Sequence, residues 1–409
     1  MLNGKIARFA PTVAAALLLA SLSHSAEAGG TLRIAMTASD VPTTTGAPDN
    51  GFEGLRFLGY PVFEGLVLWD LSRADKLAEI RPGLAESWEQ DKGDRSKWVF
   101  HLRHAAKFHD GSDFNADAVM WNLDRYFKSD SPQYDPTGSA IARARNPWVS
   151  GYRKIDDYTI EIANPRSLSY FPGALAYLFF SSPAQFQKTG SWAEFAKAPS
   201  GTGPFKITEF KPRVSATLSR NEGYWDPHRV PKLDKMVLFP MPEATTRLAA
   251  LRSGQVDWIE VPPPDAVPSL KAAGFEIVTN SYPHVWPWVM SFGKPDTPWR
   301  DVRVRRAINY CANREGLVTL LNGLAEPAAG VNWANWKNLE FDALVDEIEK
   351  SSDPEEIAAN IRKAHEVIVD DAPWLFIVHD RNPRAMTKHV KGFVSAQSWF
   401  QDFTRVYME

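Results

Sequence analysis

Two aromatic stretches carry the clearest chemistry in this 409-residue sequence. Tyr282, Trp286 and Trp288 share one short segment with Pro283 and Pro287, and Trp333 and Trp336 flank Asn335. Rings of this kind serve either a packed core or a surface that stacks on an apolar or planar part of a ligand. Both readings stay open for each ring, although 15 tryptophans in all also suit a cleft that grips by stacking. His101, His104 and His109 lie close together in sequence, but not at the spacing of a helical metal pair. They read as solvated or packing histidines. Gly201-Thr202-Gly203 lacks the third glycine of a dinucleotide fingerprint and reads as a tight backbone turn. Neither a zinc-protease helix, a phosphate loop nor a Gly-x-Ser-x-Gly elbow is present, and acidic residues are spread evenly. Reversible binding is the chemistry left standing. No metal and no cofactor is implied.

The elements that would hold these residues interleave strands and helices, which gives an α/β class. Thr31 to Met36 is a buried-strand candidate. From Lys97 to Arg103 the residues alternate, with Trp98, Phe100 and Leu102 on one face, as in a half-buried strand. Tyr158, Ile160 and Ile162 repeat the pattern. His109-Asp110-Gly111 signals a turn, and Asn115 can cap a helix carrying Val119, Leu123 and Phe127. Phe205 opens a strand, Glu243 to Arg252 is helical, and Val256 to Val261 reads as a strand. Asp301 can cap a long helix with Val304, Ile308, Cys311 and Leu317 on one face, ending near Gly323. Two further helices, about 339–350 and 354–369, precede a last strand from Trp374 to His379.

The first residues have the order of a secretory signal peptide: Lys5 and Arg8, an apolar run from Val13 to Leu22, then Ala26-Glu27-Ala28. The run falls short of the roughly 20 residues that span a bilayer. Cleavage after Ala28 and a periplasmic destination are expected. Cleavage takes the net charge from −3 to −4, a mildly acidic balance without a basic block, so nucleic acid is a poor partner. Cys311 is the only cysteine, which rules out an intramolecular disulfide and reads as a small buried residue.

Several segments in order resemble the family 5 extracellular solute-binding proteins, the peptide and nickel-type receptors of ABC importers. They run from Arg81-Pro82-Gly83-Leu84-Ala85-Glu86-Ser87-Trp88 through Trp98 to Arg103 and Lys107-Phe108-His109-Asp110-Gly111. Gly201 to Phe205, Arg220-Asn221 with Tyr224-Trp225, and Leu251 to Asp257 follow. Asp301 to Ile308, Phe341-Asp342-Ala343-Leu344 and Pro373 to Phe376 complete the set. Each segment alone is weak, whereas the ordered set is specific.

The resemblance implies a two-lobed periplasmic binding protein of the large, three-domain type II variety, with a solute shut between its lobes. Mapped here, the larger part of lobe one would take 29–58, 190–284 and 386–409, its smaller part 59–189, and lobe two 285–385. The pattern breaks after Leu324: Ala325 to Gly330 runs almost directly into Val331-Asn332-Trp333, as if lobe two had lost an internal stretch. The implied function is capture of short peptides or peptide-like solutes for a membrane permease, without catalysis, by a monomer. An oligosaccharide receptor, a nickel-chelate receptor and a truncated receptor that no longer supports uptake are the alternatives, with a secreted hydrolase more distant. Expected cleft residues are Tyr60, before a segment that lines the cleft in similar proteins, Trp286 and Trp288, where the chain would cross between lobes, and Trp333 with Asn335 after the shortened stretch.

Overall fold

The computed structural model describes residues 29–282, 285–312, 336–379 and 381–409, and of residues 285, 286, 378 and 379 the backbone alone. The strand Thr31–Met36 sits at the centre of a seven-stranded mixed sheet. It pairs in parallel with Lys235–Pro240 on one side and Trp258–Glu260 on the other. Beyond these, Ser215–Arg220 and Phe205–Lys211 extend one wing, and Arg384–Met386 and Glu276–Val278 the other, all antiparallel. A strand covered on both faces is largely apolar. Leu32, Ile34 and Met36 accordingly meet Phe57, Phe63, Phe400 and Phe403 on one face, while Ala35 packs with Leu251, Ile259 and Leu270 on the other.

A second sheet, of four antiparallel strands, is ordered Ala85–Gln90, Lys97–Leu102, Thr159–Ala163, Gly151–Asp156. The alternation at 97–102 is realised, with Trp98, Phe100 and Leu102 buried. Helix Ala116–Phe127 covers that face with Val119 and Leu123, and the Asn115 side chain accepts the Ala118 amide as its cap. The expected strand at Val256 to Val261 is shorter, Trp258–Glu260, because Val261 turns to a φ of 45°.

The third unit pairs strand Val285–Val289 with Trp374–His379. Helices Val302–Cys311, Leu339–Lys350 and Pro354–Asp371 accompany it. Here two expectations are corrected. The helix capped by Asp301 stops at Cys311, where Ala312 becomes extended, while Leu317 and Gly323 lie outside the described residues. Cys311 is exposed rather than buried. The inward face is rotated to Arg305, Ile308 and Ala312, because the Arg305 guanidinium is drawn in by the Asp371 carboxylate and by the Trp299 and Arg300 carbonyls.

The glycine-rich turn ties sequence-distant pieces together. The amides of Gly203 and Phe205 donate to the Val62 and Pro61 carbonyls at 2.9 and 3.0 Å. A Cβ at Gly201 or Gly203 would collide with those same carbonyls, so no larger residue fits. His109 clamps the turn: its Nδ1 accepts the Gly201 amide at 3.2 Å and its Nε2 donates to the Gly203 carbonyl at 2.9 Å.

Candidate functional site

The chain leaves the large sheet after Glu276–Val278 and returns at Arg384–Met386, so both crossings to the third unit lie side by side. A buried polar cluster stands at their foot. Glu260 ends the strand Trp258–Glu260 and is fully buried. Arg56 reaches it from a π-helical turn, Leu55–Gly59, and Arg384 from the returning strand at 3.1 Å. Trp258 and Gln401 add hydrogen bonds to the same carboxylate. Burial would raise the Glu260 pKa, but the Arg56 and Arg384 guanidiniums outweigh it and hold the group ionised, below its ordinary range. Arg384 also donates to the Tyr282 hydroxyl. The last residues before the crossing are thereby fixed to the sheet.

A second junction lies away from the crossings. Glu349, near the end of helix Leu339–Lys350, is 3% exposed and accepts both arms of the Arg166 guanidinium at 2.6 and 2.9 Å. The Tyr170 hydroxyl donates to it at 3.0 Å, and the Ser169 amide and hydroxyl donate to the Glu349 and Ile348 carbonyls. The third unit is thus docked on the loop 166–170 that follows the four-stranded sheet.

A cavity of about 540 Å³ opens beside this junction, lined by Trp69, Ile80, Arg145, Trp148, Tyr170 and Tyr177 among others. Its rings pack edge to face: Trp148 on Tyr170 at 5.5 Å and Trp69 on Tyr177 at 6.2 Å between centroids. The Arg145 guanidinium lies 5.6 Å from the Tyr177 ring and 4.8 Å from Phe52. Phe52 stacks on Trp399 at 5.0 Å, and Trp399 meets Tyr282 at 5.7 Å. An aromatic band therefore runs from the Glu349 junction to the crossing strands, with Arg145 at its middle. Apolar walls with a few placed polar groups are what a small-molecule site requires.

The residues expected from sequence are distributed differently. Tyr60 is buried, and its hydroxyl donates to the Trp69 carbonyl at 3.0 Å while its ring packs on Phe400. It braces the cavity wall from behind. Burial pushes its pKa up to about 12. Trp288 pairs with Leu375 on the third unit's hairpin and is 47% exposed. Trp286 precedes an irregularity at Pro287 in that strand. Trp333 and Asn335 lie outside the described residues. Sequence reading missed Trp69, Arg145, Trp148, Tyr170 and Tyr177. Asn146-Pro147-Trp148 and Tyr170-Phe171-Pro172 show the same mingling of aromatic residues and proline that marks Tyr282 to Trp288, so a signal was available. Of the three histidines, His101 is 3.9 Å from Glu89, His104 stacks on Tyr158, and His109 holds the glycine turn. Among the described residues no group of three His, Cys, Asp or Glu side chains is placed to hold a metal ion.

Residues 79–377 match the bacterial extracellular solute-binding proteins, family 5 Middle. The dipeptide-binding protein of Escherichia coli (strain K12) is 27% identical over 255 residues, 59% of this chain and 47% of that protein. The glutathione-binding protein GsiB of the same strain is 31% identical over 261 residues, 63% of this chain and 48% of that protein. The chain spans about half the length of these curated relatives. The periplasmic binding protein DppA from Helicobacter pylori, in complex with peptide STSA, superposes with a TM-score of 0.76 at 20% identity. That match covers 93% of this chain and 98% of the other, and is a likeness of fold: a mixed α/β, two-lobed periplasmic binding protein.

Proposed function

The chain belongs to the family 5 bacterial extracellular solute-binding proteins, and from that membership we propose that it is the substrate-capturing subunit of an ABC importer, closing on short peptides or peptide-like solutes and presenting them to a membrane permease. One observation carries the reading: the aromatic cavity adjoins the contact between the two lobes, and Ser169 and Tyr170 belong to both. A solute bound there touches the smaller part of lobe one (59–189) beside its contact with lobe two (285–385). Contacts made to both lobes only in the closed state favour that state, and uptake needs no covalent step. In this reading Trp286 and Trp288, with Trp333 and Asn335 that lie outside the described residues, are lobe-two candidates for meeting the solute, and Tyr60 supports the Trp69 backbone. The rest of lobe one, 29–58, 190–284 and 386–409, carries the hinge. The protein acts as a monomer, exported by the segment 1–28. Among the described residues no helix is long and apolar enough to cross a membrane.

The aromatic wall also favours a second reading, an oligosaccharide stacked on Trp69, Trp148 and Tyr177. Intrinsic tryptophan fluorescence and calorimetry with a panel of dipeptides, tripeptides, glutathione and maltooligosaccharides separate the two. A saturable response to peptides supports the first and a response to sugars alone supports the second. Silence across the panel refutes a working receptor.

A further inference from the structure

We propose that the solute carries a carboxylate next to an apolar side chain, and that Arg145 is the group that receives it. This deepens the receptor reading and rests on it. Arg145 ends the helix Pro136–Arg145, where the backbone dipole favours a cation. Its neighbour Arg143 is engaged, donating to the Ser139 hydroxyl and to the Phe127 carbonyl at 2.8 Å. Other sequestered arginines each have an acceptor: Arg125 has Asp135, Arg305 has Asp371, Arg384 has Glu260, and Arg247 makes four backbone-carbonyl bonds. Arg145 is half-buried on the cavity wall, and among the described residues it has neither a carboxylate nor a hydrogen-bond acceptor. It rests only against the rings of Phe52 and Tyr177.

Trp69, a residue of the wall, holds another unused polar atom. The Trp69 indole N–H is buried and has no partner, although the Trp69 carbonyl is satisfied by Tyr60. Tyr170 and Ser169 donate to the Glu349 junction, whereas among the described residues the Trp148 indole N–H and the Tyr177 hydroxyl make no hydrogen bond. The uncommitted groups on this wall can all donate, and one of them is a charged planar fork. A guanidinium fork matches a carboxylate in two parallel hydrogen bonds, and here its carbon lies 4.8 and 5.6 Å from two ring centroids. Apolar rings on either side would take the adjoining side chain. The free C-terminus of a peptide and a simple acid share this chemistry.

The test uses calorimetry on the mature protein with three probes: Ala-Phe, Ala-Phe amide and 3-phenylpropionate. Wild type should bind Ala-Phe at least tenfold tighter than its amide. Arg145→Gln should lose at least tenfold for Ala-Phe, leave the amide within threefold, and so erase the preference. Arg145→Lys should fall between, because it keeps the charge and loses the fork. An unchanged thermal midpoint in each variant separates lost recognition from lost folding. Binding of 3-phenylpropionate as tightly as Ala-Phe assigns the site to acids in general, and its failure beside a tight Ala-Phe assigns it to peptide termini. Equal affinity for acid and amide in wild type, or an acid preference that survives Arg145→Gln, overturns the assignment and leaves the receptor reading intact. If none of the three binds, the assignment falls; if the wider peptide and sugar panel is silent as well, the receptor reading falls with it.

Discussion

Replacing Glu349 by alanine should open the molecule. Its carboxylate takes two charge-assisted bonds from Arg166 and one from Tyr170, all across the junction between lobes. Arg166 is 56% exposed at its side chain, so water screens the ion pair and its contribution is kept near the surface value of about 0.5–1 kcal/mol. The Tyr170 bond adds about 1 kcal/mol. Together they favour contact by about 1.5 kcal/mol, so their loss shifts the open-to-closed ratio roughly tenfold. Neither partner belongs to a core, and overall stability should change little. Cys311 is exposed and takes one dye, and Lys92→Cys on the exposed edge of the smaller part takes the other. Single-molecule energy transfer between them should show the low-transfer population rise about tenfold in ratio, with Glu349→Gln between wild type and alanine. Ratios within twofold of wild type in both variants would show that this contact does not set the closed state.

Four further outcomes follow from the same geometry. The His109 pKa is lowered to about 4, chiefly by burial and in spite of its bond to the Gly203 carbonyl. Between that value and the ordinary 6.5 the unfolded chain binds a proton that the native one refuses, so stability is full above pH 6.5 and falls as pH drops toward 4. The full shift corresponds to roughly 3 kcal/mol; the ring is only half-buried, so a loss of about 1–2 kcal/mol by pH 5 is expected. Urea midpoints at pH 7 and 5 should show it in wild type and not in His109→Asn. Glu260→Gln leaves buried Arg384 without its carboxylate and Arg56 with the more distant Glu53 at 3.7 Å, and should cost roughly 3–5 kcal/mol in urea unfolding. A cost under 1 kcal/mol would mean that water enters the cluster. Val261 holds a φ of 45° while 41% exposed, so Val261→Gly should raise stability by about 1 kcal/mol, read as a higher melting midpoint. The third unit buries Met290, Leu375 and Ile377 in its own core and exposes Trp288, Tyr310, Leu339, Ile361 and Val369. Hydrogen exchange should accordingly be faster in helix 302–311 than in strand 97–102, and equal protection would show a complete second lobe.

What sequence could reveal follows from which forces act locally. The strand at 97–102 and the caps Asn115 and Asp301 depend on neighbours within a few residues, so periodicity and residue type announce them. The turn at Gly201 to Gly203 is legible as a turn, but its reason, the closeness of Pro61 and Val62, is not. Buried charge defeats hydropathy altogether. Arg305 turns inward because Asp371 is there, 66 residues away, and that rotation carries Cys311 out to solvent. Glu260, Arg56 and Arg384 are unremarkable in sequence and meet only through the order of strands. The cavity escapes for the same reason, since Trp69, Arg145 and Tyr177 come from three segments joined by tertiary packing. The proline-spaced rings at Tyr282 to Trp288 drew attention instead because they stand together in the chain.

Binding of a solute between the lobes, against the aromatic wall, would be seen in a crystal structure of the mature protein grown with Ala-Phe. Closed lobes with Glu349 on Arg166, the phenyl ring against Trp69 and Tyr177, and the carboxylate on Arg145 are expected. A peptide bound elsewhere, or saturated crystals whose cavity keeps Arg145 and the Trp69 indole unpartnered, would contradict it.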